Sequence, residues 1–240
     1  MKLENKVIVI TGSSQGLGEA LAYQAAKEGA KIALVARTES LLKKVKNKIQ
    51  KKGRQAEYFV CDIRNWKEVK ETVKKILEQF KKIDILVNNA GVWTDEEMEK
   101  KNPERRKVAL EINTLGHIHF TKEVLPSMKK KNKGYIFNII SNAAVADHNN
   151  APFQTYGAAK WAMAGFTKSL RDSLKNTKIK VSGFYPGGID TNLYENAGRV
   201  DAHNQPWMMK KEDVAEIIIF ALTRPSDVLM ERLVITKMKS

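Results

Sequence analysis

The stretch Val7-Ile8-Val9-Ile10-Thr11-Gly12-Ser13-Ser14-Gln15-Gly16-Leu17-Gly18, with the run Glu19-Ala20-Leu21-Ala22-Tyr23-Gln24-Ala25-Ala26 behind it, decides the fold. Four consecutive β-branched apolar residues suit a strand buried on both faces of a parallel sheet. The residues from Thr11 to Gly18 carry three glycines and two serines and read as a turn rather than regular structure. After Gly18 the Ala/Leu-rich run reads as a helix, stopped by Gly29. Strand, glycine turn and helix in that order aim the helix N-terminus and its free N–H groups at an anion. Glycines also let a dinucleotide's pyrophosphate approach the backbone, which makes Gly12, Ser14, Gln15, Gly16, Leu17 and Gly18 candidate binding residues. The spacing Gly12-x-x-x-Gly16-x-Gly18 departs from G-x-G-x-x-G, so this stretch alone leaves an ordinary tight turn open.

Outward from that turn, strands and helices alternate. Residues 31–36, 58–61, 83–87, 135–140, 179–185 and 233–235 read as strands. Between them lie a Lys-rich helix ending at Gly53 and a helix capped near Asn65 with Val69, Val73, Ile76, Leu77 and Phe80 at helical spacing. A long helix carries Val108, Leu110, Ile112, Leu115 and Ile118, with Pro126 in its last turns. Helices over 155–174 and 213–222 complete the pattern. No internal repeat, linker or low-complexity segment interrupts it. One α/β domain over residues 1–240 is expected, a doubly wound parallel sheet with helices on both faces. Ligands of such sheets bind beyond the carboxyl ends of the strands. Residues 12–18, Arg37, Asp62, 88–91, Ser141 and 186–191 should therefore converge on one crevice.

Composition narrows the class. An apolar content of 42% over 240 residues supports a real core. The charged N-terminus and its four-residue apolar run do not read as a signal peptide, and nothing downstream reads as a membrane span. Cys61 is the single cysteine, so a cytoplasmic setting without disulfides is expected. The net charge of +15 raises nucleic acid as a partner. Yet Lys43, Lys44, Lys46, Lys48, Lys51 and Lys52 lie on one amphipathic helix and Lys129, Lys130 and Lys131 end another, without interleaved aromatics. Neither nucleic acid nor a membrane is expected as partner. His117 and His119 have no acidic or cysteine cluster at ligand spacing, so no metal is expected.

The set Thr11-Gly12-x-x-x-Gly16-x-Gly18, Asn88-Asn89-Ala90-Gly91, Asn113, Ser141, Tyr156-x-x-x-Lys160 and Pro186-Gly187 resembles the short-chain dehydrogenase/reductase family over essentially the whole chain. The resemblance implies a Rossmann-type fold and an NADP(H)-dependent oxidoreductase that reduces a ketone or aldehyde to an alcohol, or the reverse. Tyr156 and Lys160, four apart on a helix, share one face. A free tyrosine titrates near pH ~10, and a nearby ammonium favours the phenolate. Ser141 would hydrogen-bond the substrate oxygen. For Asn113 the resemblance implies a water-mediated proton relay from Lys160. Asp62 and Ile63 would reach the adenine, Asn89, Ala90 and Gly91 would line the adenosine side, and Ile189 and Thr191 would follow Pro186 and Gly187 to the nicotinamide carboxamide. Ala36 stands where an acid would bind the ribose of NAD, and Arg37, followed by Thr38, offers a guanidinium to a phosphate instead. Gln15, where many NADP-dependent members carry a basic residue, weakens that case. Ser141 and Tyr156 lie farther apart than is usual in the family, and the lengthened loop carries His148.

Residues 191–210 hold Leu193, Tyr194, Trp207, Met208 and Met209, bulky apolar side chains that suit a segment closing over substrate, with Tyr194 and Trp207 against it. Arg199 is the segment's only guanidinium, with Asp190, Glu195 and Asp201 nearby. The expected substrate is an uncharged carbonyl compound with an apolar or aromatic substituent. The resemblance also implies a homo-oligomer, dimer or tetramer, paired through the helices of Asn113 and Tyr156. A 3-oxoacyl thioester reductase is the alternative within the enzyme class. A non-catalytic nucleotide-binding or nucleic-acid-binding protein is the alternative outside it.

Overall fold

The computed structural model describes residues 1–94, 103–145, 154–199 and 203–238. His148, Asp201 and most of the lengthened loop lie outside them.

Strand β1 (Val7–Thr11) forms where the four β-branched residues predict it. Val7 and Val9 pack into one hydrophobic core, Ile8 and Ile10 into the other. That alternation buries both faces of the strand, as a central position in a parallel sheet requires. Strands β2 (Lys31–Ala36), β3 (Ala56–Val60), β4 (Ile85–Asn88), β5 (Gly134–Ile139), β6 (Ile179–Pro186) and, after a two-residue pair β7 (Ile189–Asp190) and β8 (Met209–Lys210), β9 (Arg232–Ile235) follow in sequence. The main sheet is entirely parallel, in the order β3-β2-β1-β4-β5-β6-β9. Helices α1 (Gly16–Lys27), α2 (Glu39–Gln50) and α7 (Lys211–Leu222) cover one face. Helices α3 (Trp66–Phe80), α5 (Gly116–Lys130) and α6 (Gln154–Ser173) cover the other. This is the doubly wound Rossmann-type architecture expected from the sequence.

Three expectations are corrected. Helix α1 begins at Gly16, inside the stretch read as an irregular turn. Its first turn is what presents backbone N–H groups beyond the end of β1. The long helix around Asn113 is broken by a π-helical turn, Glu111–Leu115, between α4 (Pro103–Leu110) and α5. One wider turn rotates the face, so Leu110 and Leu115, read among the apolar positions of one unbroken helix, point outward, 41% and 47% exposed. The β7–β8 pair was not expected, because strands of two residues leave no periodic pattern.

Asn88 and Asn138 lie opposite each other on β4 and β5, both fully buried. Asn88 Nδ2 donates to Asn138 Oδ1 at 2.8 Å and to Thr121 Oγ1 of α5 at 3.0 Å. Asn138 Nδ2 donates to Thr167 Oγ1 of α6 at 2.8 Å. The sheet thereby holds both helices that flank the cleft through directional bonds in a dry core, where leaving a partner unpaired is costly. Asn138→Ala, which strands Thr167 and one proton of Asn88, should lower unfolding free energy by about 2 kcal/mol in urea denaturation. An unchanged midpoint would show the network to be dispensable.

Candidate active site

A cleft of about 930 Å³ opens at the carboxyl ends of the strands. Its wall is built first by backbone. Gly12 has φ +67, and a Cβ there would lie 2.7 Å from Ala90 Cα, so only glycine permits both the turn and the approach of the following strand end. Thr11 Oγ1 accepts the N–H groups of Asn89 and Ala90 at 2.9 and 3.1 Å, and Asn89 Nδ2 donates to the carbonyl of Thr11 at 2.9 Å. The ends of β1 and β4 are thus laced together. Gln15 precedes α1 without capping it through its side chain, which leaves that helix N-terminus facing the cleft free for an anion.

The cleft gathers nearly every residue singled out from the sequence: Gly12, Ser14, Gln15, Gly16, Leu17, Arg37, Thr38, Asp62, Ile63, Asn89, Ala90, Gly91, Asn113, Ser141, Tyr156, Lys160, Pro186, Gly187, Ile189, Thr191, Tyr194 and Trp207 all line it. Gly18 does not. It packs beneath the turn, where a Cβ would collide with the carbonyl of Gly12, so its role is to let helix and turn close up. Asn88 is also absent from the wall, because it belongs to the buried network under the sheet.

Ser141 follows β5 in extended backbone, and its Oγ accepts the Ala143 N–H at 3.1 Å. That bond fixes the hydroxyl at the head of a 3-10 turn, Asn142–Ala144, with Asn142 Oδ1 at a long 3.5 Å from it. Tyr156 is buried on the first turns of α6 and hydrogen-bonds Ser141. Lys160 lies one turn on, its Nζ 5.4 Å from the centre of the Tyr156 ring and 3.5 Å from the Ile139 carbonyl. Burial holds the Tyr156 hydroxyl well above its usual range, and the Ser141 bond only partly offsets this. The expected lowering by Lys160 is therefore not met: its ammonium lies over the ring, and desolvation dominates. The same desolvation brings Lys160 down to about 8.

Asn113 sits in the π-helical turn, fully buried. Its Oδ1 accepts the Val92 N–H at 3.2 Å and its Nδ2 donates to the Val92 carbonyl at 2.9 Å. Both ends of the amide are taken up by the backbone of Val92, so the side chain anchors the stretch that follows Gly91. His117, completely buried one turn later, bonds the Ala90 carbonyl through Nε2 at 2.6 Å. Burial and the neighbouring Lys160 push it down to about 3, so it stays neutral. Its packing role agrees with the sequence reading. Among the described residues no group of three His, Cys, Asp or Glu side chains is placed to hold a metal.

Sequence reasoning missed Trp93. Its ring lies 4.6 Å from that of Tyr156 and 5.0 Å from that of Tyr194, which in turn meets Trp207 at 5.5 Å. An aromatic residue just past Asn88-Asn89-Ala90-Gly91 was the available signal. Tyr194 and Met208 are buried against Trp93, while Trp207 is half exposed with its ring over Gly188. Residues 189–210 are tied at their base by β7–β8 and by His203, whose Nδ1 meets Asp190 Oδ1 at 2.6 Å and whose Nε2 lies 3.6 Å from Glu195 Oε2. Arg105 of α4 donates to the Ala197 carbonyl at 3.1 Å, a second guanidinium beside the segment.

At the opposite end of the cleft, Arg37 is exposed and, among the described residues, makes no hydrogen bond or ion pair. Residues 6–201 match the family described as short chain dehydrogenase. The chain belongs to the short-chain dehydrogenase family. Among relatives of this dehydrogenase, an uncharacterized oxidoreductase of Staphylococcus saprophyticus is 34% identical over 233 residues, covering 95% of each chain. A second, from Staphylococcus epidermidis, is 31% identical over 228 residues, again covering 95% of each. An alcohol dehydrogenase of the archaeon Thermococcus sibiricus, solved with 5-hydroxy-NADP, superposes with a TM-score of 0.89 at 28% identity, covering 98% of this chain and 97% of that one. The closed form of serine dehydrogenase with NADP+ also reaches 0.89, at 27% identity over 96% and 94% of the two chains. The dehydrogenase is thus an oxidoreductase with a nucleotide-binding fold.

The geometry around Lys160 makes one direct demand. In the ligand-free protein its 13Cε resonance, assigned by loss in Lys160→Met, should titrate near pH 8, below the ~10.4 of exposed lysines. A midpoint near 10 would mean that the ammonium is hydrated.

Proposed function

We propose that the protein is an NADP(H)-dependent oxidoreductase that interconverts an uncharged carbonyl compound and its alcohol. The observation that carries this reading is the meeting of Ser141, Tyr156 and Lys160 at one end of a cleft whose other end presents the unpaired Arg37. The residues suit a phosphorylated dinucleotide: an uncapped helix N-terminus for the pyrophosphate, close backbone packing that glycine alone allows, and a guanidinium where NAD would need an acid. The solved NADP complexes of the alcohol dehydrogenase and serine dehydrogenase lend support.

A bound nicotinamide supplies the hydride. The chain's own part is to hold the carbonyl and deliver a proton. Tyr156, kept as a neutral phenol by burial, is the proton donor to the substrate oxygen. Ser141, its hydroxyl fixed by the Ala143 N–H and bonded to Tyr156, donates to the same oxygen and stabilises the charge growing there. Lys160, close to its own titration point, favours proton loss from Tyr156 once the ligand brings its ammonium into play. Asn113 acts by position, holding Val92 and so the Trp93 wall. Trp93, Tyr194, Trp207 and Met208 form an apolar surface over this end, which suits a flat apolar or aromatic substituent. Among the described residues no helix is long and apolar enough to cross a membrane.

Turnover tests the reading. NADPH absorbance should fall with neutral ketones and keto esters faster than with the matching anionic keto acids. Tyr156→Phe should bind the cofactor yet lose turnover by at least about a hundredfold. A variant retaining a tenth of the rate, or a preference for the keto acid, would refute the proton donor or the apolar wall respectively.

We also propose assembly about a twofold axis. Ala158, Trp161, Ala162 and Gly165 make an exposed stripe on α6, and Leu110 and Leu115 lie exposed on the elements packed beside it. Trp161 is 58% exposed, a large apolar area for a free surface. Light scattering should give a mass of at least two 27.1 kDa chains. Trp161→Arg should shift it toward one, and a wild-type monomer at micromolar concentration would overturn the assembly.

A further inference from the structure

Arg37 and Asp62 leave neighbouring strand ends. Ala36 pairs with Val60 in the β2–β3 register, and the Cys61 N–H donates to the Ala36 carbonyl at 2.9 Å. An exposed guanidinium and a carboxylate so placed, both lining the cleft, would ordinarily pair with each other. They make no direct hydrogen bond, and Arg37 acts on the Asp62 charge only through space. The Asp62 carboxylate is held by Arg64, whose Nε lies 3.1 Å from Oδ1 and 2.9 Å from Oδ2, with Nη2 at 2.6 Å from Oδ2. The Arg64 N–H adds a bond to Oδ1 at 3.0 Å. Glu68 fixes the turn beneath: its Oε2 accepts the Asp62 N–H and its Oε1 accepts Asn65 Nδ2, both at 2.9 Å, while Asn65 caps α3. The other carboxylates near Arg64, those of Glu68 and Glu111, bear on it only through space.

We propose that Arg64 is a positioning residue for cofactor selection: by forking the Asp62 carboxylate it leaves Arg37 unpaired, so that Arg37 can meet the ribose phosphate of NADP(H). The proposal rests on the cofactor reading above and deepens it. A fork between a planar guanidinium and a carboxylate is the strongest arrangement available to an exposed pair. Without it, Asp62 would turn to the next guanidinium, and a phosphate dianion would have to displace a carboxylate before binding. Arg64 itself need not touch the ligand. Its effect should fall on the ratio of the two cofactors' affinities, since NADH carries no group for Arg37.

The test is direct binding. Dissociation constants for NADPH and for NADH are measured by tryptophan-fluorescence quenching on wild type, Arg37→Ala, Arg64→Ala and Arg64→Ala/Asp62→Asn. The wild type should prefer NADPH, and Arg37→Ala should narrow the preference. Arg64→Ala should reduce it by about fivefold, the scale of one exposed ion pair. The double variant should restore it, because the freed competitor is gone. A general loss of folding or of adenine contact would move both constants together and leave the ratio alone. A wild-type preference that Arg64→Ala leaves intact, or a loss that the double variant does not restore, overturns the role of Arg64 and leaves the cofactor reading standing. Equal wild-type affinities overturn the cofactor reading and the proposal with it.

Discussion

Two asparagine side chains, side by side in the dry centre of the sheet, set the frame for the rest. A buried amide must find partners, and the Asn88–Asn138 pair finds them in Thr121 and Thr167, one on each helix that flanks the cleft. Apolar packing alone would let α5 and α6 slide by a fraction of a turn at small cost, because it is non-directional. The hydrogen bonds remove that freedom. The π-helical turn with Asn113 leads directly into α5, and Tyr156 and Lys160 stand on α6, so their mutual position follows from what the sheet holds. The same economy recurs at the cleft wall, where Thr11, Asn113 and His117 bind backbone groups of Asn89, Ala90 and Val92, and the Asn89 side chain binds the carbonyls of Thr11 and Gly12. Those polar side chains build the wall.

Much of this was legible in the sequence, for reasons that can be named. Four apolar β-branched residues before a glycine cluster admit few structures other than a central parallel strand and a ligand-facing turn. The Asn65 cap was legible because its side chain acts on the next few residues, and the structure has it accepting the N–H groups of Lys67 and Glu68. What stayed hidden depended on contacts between distant segments or on geometry without a pattern. A π-helical turn has no periodic signature, so one unbroken helix was read through Asn113. The pairing of Arg64 with Asp62 left no signal, since it is defined by the fold of a tight turn. Asn89 lines the cleft, as read from the sequence, but the bonds of its side chain to the strand end opposite depended on a contact between distant segments.

The strong positive charge gains a more specific sense from the ion pairs. Many of the basic side chains on the outer helices are paired locally or hydrated, as with Lys43 and Glu39 or Lys168 and Asp172. Such pairs contribute little individually. Their summed field is another matter, because it favours the approach of a polyanionic ligand to a cleft whose helix N-terminus is open. Within that field Arg37 lines the cleft with no hydrogen bond or ion pair among the described residues.

The catalytic end of the cleft works in the opposite sense, through removal of water. Desolvation raises Tyr156 and lowers Lys160 to about 8, so Tyr156 keeps its proton and Lys160 gives its own up more readily than an exposed lysine. His117 beside them is neutral for the same reason, and a charged ring there would oppose a protonated Lys160. A hydroxyl that keeps its proton is the right starting state for giving one to a carbonyl oxygen. A lysine poised near pH 8 responds to small changes in its surroundings, and hydroxyl groups brought by a ligand would solvate its ammonium. On the proposed reading the aromatic surface of Trp93, Tyr194 and Trp207 then matters twice: it would offer an apolar substrate a place to bind, and it keeps bulk water from Tyr156.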